Sequence, residues 1–224
     1  SDIKRKFKIE EVDIFIRDAQ AILILDKIVK QETKLLSMYV SSLKPFGFRG
    51  YFIKDKRFHL DKNNLDNPII CYGKGKLLGY VERAEVKNHI EWIDVWKIFT
   101  PRANNIGTEL SDDNLNSFIG EPGSICTESY IAMGMELNLT KIMAINLTKY
   151  LKTKFLRFLH GIAKSSQDAT AKTYQFVPLQ DFSDESDIDW SKSIAEIDQQ
   201  LYAKYKFSKD EIDYVESKIK PMAE

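Results

Sequence analysis

The chain has 224 residues, of which 43% are hydrophobic and 12% aromatic, so it can bury a sizeable core and is not expected to be disordered. No apolar run approaches the roughly 20 residues that span a bilayer, and no leader peptide is recognisable at the start. The 33 basic and 33 acidic residues cancel, which is unusual for a small, free-standing DNA-binding domain.

The chain begins without methionine, and we expect it to be a fragment of a longer protein. Residues 10–42 predict an interrupted helix, because apolar residues recur every three or four positions. Residues 44–53, "KPFGFRGYFI", contain Pro and Gly before an aromatic run, which predicts a loop leading into a strand. Residues 68–86 predict a β-hairpin, with two apolar runs around Gly73-Lys74-Gly75-Lys76.

Two further strands are predicted, one ending at Pro101 and one over residues 123–134. Residues 141–164 give the clearest helix prediction. One face carries Leu147, Leu151, Phe155, Phe158, Leu159 and Ile162, and the other carries Lys149, Arg157, His160 and Lys164.

The polar segment "KSSQDATAKTYQFVPLQDF", residues 164–182, follows this helix and enters a predicted strand at 174–179. The acidic stretch "DFSDESDIDWSKS" then reads as a linker. Residues 194–219 predict one or two helices, with Ser208 as an N-cap and Glu211 as its capping-box partner.

These elements predict an α+β fold with a mixed or antiparallel, β-rich domain and a long amphipathic helix. We place that domain at 44–182. A helical lead-in from a missing upstream domain occupies 1–43, and an acidic linker with C-terminal helices occupies 183–224. The two cysteines, Cys71 and Cys126, suit a reducing cytoplasm, and we expect buried thiols rather than a disulfide or a metal pair.

Signals for catalysis are weak. The histidines are scattered, and residues 73–79 have the glycines of a turn but not the Gly-Lys-Ser/Thr and following helix of a phosphate-binding loop. Asp66, Glu85 and Lys87 can supply the carboxylate pair and lysine of a metal-dependent nuclease. Such triples arise often in a chain with 29% charged residues, and solvated hairpin charges are the default interpretation. We expect the chain to be non-catalytic on its own and predict no metal site.

Charge is unevenly distributed along the chain. Six basic residues and one acid, Asp168, lie between positions 149 and 172, whereas seven acids and one base, Lys192, lie between 181 and 198. This pattern predicts a basic face and an acidic tail. Asp168, inside the basic segment, would oppose indiscriminate contact with phosphates.

The basic helix and the polar segment admit two interpretations. Lys and Arg can neutralise phosphates, and short polar side chains can bond to phosphates or base edges. A solvated helix followed by an ordinary polar loop has the same composition. The candidate phosphate contacts are Lys149, Lys152, Arg157, Lys164, Lys172 and Arg102. The candidate base or groove contacts are Ser165, Ser166, Gln167, Thr170, Tyr174, Asn104, Asn105 and Arg49.

Five segments in a fixed order carry a family resemblance: "KPFGFRGYF", "EWIDVWKIFTPRANN", "GEPGSICTESYIAMG", "YLKTKFLRFLHGIAKSSQDATAKTYQFVPLQDF" and "IDQQLYAKYKFSKDEIDYVESKIKPM". Together they resemble the C-terminal target-recognition region of bacterial restriction–modification enzymes, in which an N6-adenine methyltransferase is often fused to an endonuclease. The resemblance covers residues 12–222. Residues 141–182 also resemble the helix, polar loop and strand near the end of type I specificity-subunit recognition domains.

The resemblance implies a sequence-specific, duplex-DNA recognition domain that positions a target site for adenine methylation, and for cleavage where the parent enzyme cuts. The family's catalytic tetrapeptide and cofactor loop are absent here. S-adenosylmethionine, and Mg²⁺ for any cleavage, would therefore act in the methyltransferase and nuclease parts of the same cytoplasmic polypeptide. A protein-interaction or scaffold module of that enzyme, without autonomous DNA binding, is the alternative that zero net charge favours.

Overall fold

A computed structural model describes residues 18–104, 115–164 and 168–220. Within these ranges the chain forms five α-helices and two three-stranded sheets, which confirms the predicted α+β class. The helices are α1 (Ala19–Gln31), α2 (Lys141–Lys152), α3 (Lys154–Ala163), α4 (Ile194–Lys204) and α5 (Lys209–Lys218). The strands are β1 (Pro68–Tyr72), β2 (Leu78–Glu82), β3 (Lys97–Pro101), β4 (Phe118–Gly120), β5 (Ser124–Cys126) and β6 (Tyr130–Met133).

The first sheet has the strand order β2–β1–β5. β1 and β2 run antiparallel, with Ile70 opposite Tyr80, so the predicted hairpin is confirmed. β5 joins the other edge of β1 in parallel. The β1–β2 turn places Gly75 (φ 70°) and Lys76 (φ 60°) in the left-handed region, a geometry that favours glycine.

The second sheet has the order β4–β3–β6 and is antiparallel throughout. β3 is the strand that the sequence predicts to end at Pro101, and this prediction is confirmed. Phe99, at its centre, lies opposite Phe118 on β4 and Ala132 on β6.

The single strand predicted over 123–134 is wrong. That segment is β5 and β6, which belong to different sheets. The chain turns between them, where the Tyr130 N–H donates to the Thr127 carbonyl at 3.1 Å. This turn contains neither Gly nor Pro, so the sequence pattern runs through it without a visible break.

The continuous helix predicted over 141–164 is also wrong, because it breaks at Thr153 into α2 and α3. Thr153 is extended (φ −63°, ψ 147°), and its Oγ1 accepts from the Leu156 N–H at 3.1 Å. The carboxylate of Asp198 on α4 accepts from the first two backbone N–H groups of α3, each at 2.9 Å. Two N-terminal caps therefore stabilise a new helix start at this point.

The helices predicted near the two termini are confirmed in part. Of the helix predicted over 10–42, the described residues contain α1 and a short 3-10 helix, Leu36–Tyr39, while residues 1–17 lie outside the described ranges. The predicted C-terminal helices are α4 and α5. Their capping box is confirmed, since the Ser208 Oγ accepts from the Glu211 N–H at 3.3 Å.

Two of the predicted strands do not form, and a 3-10 helix lies at or beside each position. Gly50–Lys54 is such a helix, although residues 44–53 predict a loop and a strand. Ala171–Tyr174 is another, and Pro178 then makes an isolated bridge to Leu35 in place of the strand predicted at 174–179. Most of the aromatic residues that suggest strands here are buried, namely Phe46, Phe48, Phe52, Tyr174 and Phe176, and packing overrides their β-propensity.

The larger of two hydrophobic clusters joins α1, the second sheet and α2 to α5. Buried residues from all three predicted segments of the chain share it. The acidic stretch predicted as a linker contributes Phe182, Ile188 and Trp190 to this cluster, so the stretch is packed against the domain. A smaller cluster of mainly aromatic and aliphatic residues surrounds the first sheet. No helix in the described ranges combines the length and apolarity needed to cross a bilayer.

Candidate nucleic-acid interface

A cleft of about 570 Å³ opens between the β1–β2 turn, the end of β3 and the start of β6. The sheet topology creates it, because β5 pairs with β1 and leads directly into β6, which pairs with β3. The charged and turn residues that line the cleft include Lys74, Gly75, Lys76, Arg102, Glu128 and Asp168.

The lysines of the β1–β2 turn are the part of this site that the sequence reading missed. Lys74 and Lys76 are exposed, and neither takes part in an ion pair among the described residues. The backbone N–H of Lys76 donates to the Tyr130 hydroxyl at 2.7 Å, and its ammonium lies 4.9 Å from the Phe118 ring centroid. Lysines beside a turn glycine are exposed by necessity, but their nearness to Arg102 depends on how the sheets pair.

Arg102 lies in the cleft as a predicted phosphate contact. Its guanidinium forms an ion pair with Asp168, with Nη2 and Oδ2 3.3 Å apart. Its backbone N–H donates to the Ser129 carbonyl at 2.9 Å, and its own carbonyl accepts from the Ala169 N–H at 2.6 Å. The backbone of Arg102 is therefore held firmly, while its side chain stays about one-third exposed.

Asn104 and Lys164, two more candidates, meet beside the cleft. The Lys164 ammonium donates to the Asn104 carbonyl and, at 2.6 Å, to its Oδ1. Asn104 is buried, and its amide oxygen positions Lys164. Partial burial lowers the pKa of Lys164 to about 8. Asn104 thus orients a cation in this structure, a different role from the base contact that the sequence suggests.

Arg49 lies next to the same cleft, because its neighbour Gly50 and its ion-pair partner Glu128 line it. Its guanidinium is 3.5 Å from the carboxylate of Glu128, and about half of its side chain is exposed. Glu128 also accepts from the backbone N–H of Gly50 at 2.9 Å, so this carboxylate stabilises the start of a 3-10 helix.

Arg157 does not belong to a DNA-facing surface, so its predicted phosphate contact is corrected. The side chain is fully buried. Its Nε donates to the Lys152 carbonyl at 3.2 Å, and its Nη2 donates to the Lys220 carbonyl at 2.7 Å. The Nε group therefore satisfies a carbonyl that becomes available where α2 ends, and Nη2 ties α3 to the segment that follows α5.

The other lysines predicted to contact phosphates, Lys149, Lys152 and Lys172, do not line the cleft. The Lys149 ammonium donates to the Trp190 carbonyl at 2.6 Å, which ties α2 to the packed acidic stretch. Lys152 is half-buried near the end of α2, and Lys172 is exposed in the 3-10 helix Ala171–Tyr174. The predicted basic helix therefore does not present one continuous cationic face.

The predicted polar contact segment, residues 164–182, is buried in part, and another part of it lies outside the described residues. Tyr174 is fully buried, and its ring centroid lies 4.5 Å from that of His160, so the predicted stacking on DNA is corrected. His160, predicted on the outer face of its helix, is also fully buried. Thr170 caps the 3-10 helix that begins at Ala171. Ser165, Ser166, Gln167 and Asn105 lie outside the described residues.

The described residues do not bring Glu85 and Lys87 together as a nuclease site. Glu85 is engaged by the Arg57 guanidinium at 3.1 Å, and the Lys87 ammonium donates to the Ala84 carbonyl. No group of three or more potential ligands is placed to hold a metal ion in the part of the chain that the structure describes. The buried thiols of Cys71 and Cys126 are free, as predicted, and burial raises the pKa of Cys71 to about 12.

The cleft lining therefore combines basic side chains from two separate parts of the sequence, Lys74 with Lys76 and Arg102, with the carboxylates of Glu128 and Asp168. Arg49 and Lys164 add two further cations next to it. Such an arrangement suits a polyanion that also presents hydrogen-bond donors, because cations bind phosphates and carboxylates accept from amino groups. Comparisons with protein-family models, with curated proteins and with solved structures find no match to this chain.

Proposed function

We propose that this chain recognises duplex DNA in a sequence-specific manner through the cleft at the β1–β2 turn. In this proposal it is the target-recognition region of a cytoplasmic bacterial restriction–modification enzyme. It positions a site for adenine methylation, and for cleavage where the parent cuts, by domains outside this chain. S-adenosylmethionine and any Mg²⁺ belong to those domains.

One observation carries the proposal: residues selected from separate segments of the sequence meet at one place. Arg102 and Arg49 lie at the cleft, and Lys164 contacts Asn104 two residues after Arg102 in the chain. Lys74 and Lys76, identified only in the structure, add two exposed ammonium groups beside them. A cluster of cations from distant segments is the expected footprint of a phosphate-binding surface.

The described residues on either side of the predicted polar loop add support. Asp168, which follows residues 165–167, lines the cleft, and Lys164, which precedes them, contacts the neighbouring Asn104. The described residues on both sides of the loop thus lie near the cations that would bind phosphates.

A second concavity favours the alternative role as a protein-interaction module. It has a volume of about 240 Å³, and its lining includes Met38, Trp92 and Met135. Met38 is 65% exposed. Exposed, adaptable methionine and aromatic surface is typical of protein-binding sites. The two roles are compatible, and one experiment separates the DNA-binding role from an interaction role alone.

Selection of the purified chain on a randomised duplex pool at low salt tests the proposal. We expect retained DNA to be enriched in one short motif, because base contacts add discrimination to the phosphate contacts. Retention without enrichment would reduce the proposal to phosphate binding and remove the recognition role. Failure to retain duplex at low salt would contradict DNA binding and favour the interaction module.

A further inference from the structure

Asp168 lies where it acts on the cations of the cleft. Its carboxylate pairs with the Arg102 guanidinium at 3.3 Å, and its side chain is 45% exposed. Its negative charge also acts on the Lys164 ammonium. An incoming phosphate that binds Arg102 must therefore compete with a carboxylate already in place.

The backbone keeps Asp168 beside Arg102. Asp168 and Ala103 form a β-bridge, and the Ala169 N–H donates to the Arg102 carbonyl at 2.6 Å. Because these contacts join the two backbone segments directly, the Asp168 carboxylate stays within reach of the Arg102 guanidinium. A phosphate at this position would experience both an attractive cation and a repulsive anion.

The phosphates and the base edges of DNA interact differently with the Arg102–Asp168 ion pair. Phosphates are anions in every sequence, so the carboxylate lowers affinity for all of them. Cytosine and adenine present amino groups in the major groove, and a carboxylate accepts a hydrogen bond from such a donor. The repulsion is offset only where a base edge supplies that donor, which is how repulsive elements create specificity.

Resting on the proposed function, we propose that Asp168 is a specificity-determining residue of the cleft. In the free chain it neutralises Arg102, and on DNA it opposes binding to phosphates alone. Duplexes that place a cytosine or adenine amino group at Asp168 are bound tightly, and other duplexes are penalised.

Asp168→Asn tests this role, with Asp213→Asn as a matched control. The control removes the same charge from an exposed ion pair, Lys209–Asp213, on α5. For the wild-type chain and both variants, fluorescence anisotropy gives Kd for the duplex enriched by selection and for a scrambled duplex of equal length. The salt concentration is fixed at about 0.1 M, where charges interact over about 10 Å. Thermal unfolding midpoints within about 3 °C of the wild type establish that the variants are folded.

We expect Asp168→Asn to bind the scrambled duplex about threefold to tenfold more tightly and to lose discrimination by a similar factor. Asp213→Asn should keep the wild-type ratio of the two Kd values within about twofold. Wild-type discrimination in Asp168→Asn would overturn the inference, as would an equal loss in both variants, which would report net charge alone. A wild-type chain that binds neither duplex would overturn the proposed function and this inference together.

Discussion

His160 shows how the burial of one side chain links stability to pH. It is fully buried on α3 against the Tyr174 ring. Burial lowers the pKa of its imidazole to about 3, and the positive charge of Lys164 acts in the same direction. An unfolded chain binds a proton on this residue near pH 6.5. The native state does not, so the stability that the neutral ring contributes is present above pH 6.5 and is lost as the pH falls towards 3.

We predict that the unfolding free energy of His160→Leu falls less in acid than that of the wild type. In the wild type, this imidazole removes about 1.4 kcal/mol of unfolding free energy for each pH unit below 6.5. The difference in stability between variant and wild type should therefore move in favour of the variant by roughly 2–3 kcal/mol between pH 6.5 and pH 4.5. Urea denaturation at several pH values measures it, and parallel curves for the two proteins would contradict the prediction.

Residue type and periodicity predicted the environment of some side chains and misplaced others. Ser208 and Glu211 were identified as a capping box because that motif acts within four residues. The periodicity also predicts Arg157 and His160 on an outer helix face, opposite Phe155, Phe158 and Leu159. The structure buries α3 on both faces, because Arg157 donates to the Lys220 carbonyl and His160 packs against Tyr174. Periodicity identifies the apolar face of a helix, but it does not show which distant segments cover the other face.

At the scale of elements, the α2–α3 junction depends on a side chain from α4. Asp198 is buried and accepts from two backbone N–H groups at the start of α3. Its negative charge also complements the positive end of the α3 dipole. Neither contact is local in sequence, which explains why the helix seemed continuous when only residues 141–164 were considered.

We predict that Asp198→Ala lowers the unfolding free energy by about 2–3 kcal/mol, since it leaves two helix N–H groups without their acceptor in a buried site. Asp213→Ala is the control, because Asp213 is an exposed acid on α5 and should cost less than about 0.5 kcal/mol. Urea denaturation at pH 7.5 measures both values. Equal costs for the two variants would show that the cap does not stabilise the junction.

Elements bounded by local signals were predicted well. Glycines in the β1–β2 turn and Pro101 at the end of β3 correspond to the observed strand limits. Elements set by distant partners were not. β5 and β6 separate because one pairs with β1 and the other with β3, and residues 174–179 pack into the core in place of pairing as a strand.

At the scale of the whole molecule, the first and last helices of the described residues pack together. α1 contacts α5, where Lys27 and Glu211 form an ion pair. The acidic stretch that follows residue 180 joins the same core through Trp190. Hydrophobic periodicity identified the helices, but the surfaces that they bury depend on pairings between segments far apart in the sequence.

The same limit applies to the candidate site. Arg102, Arg49 and Lys164 were selected from the sequence as polar or basic residues near predicted turns, and the structure brings them near one cleft. For Lys74 and Lys76, the sequence predicts only a turn. Their nearness to Arg102 follows from the order of strands in two sheets, which no local pattern encodes.

The most direct measurement of the central claim is the salt dependence of duplex binding by two charge-matched variants. Lys74→Gln/Lys76→Gln removes two ammonium groups from the cleft, and Lys192→Gln/Lys209→Gln removes two that pair with exposed acids elsewhere. We predict that the cleft variant binds all duplexes several-fold more weakly and that its log Kd–log salt slope falls by about 1–2, with the control unchanged. Equal slopes for both variants and the wild type would contradict DNA binding at this cleft.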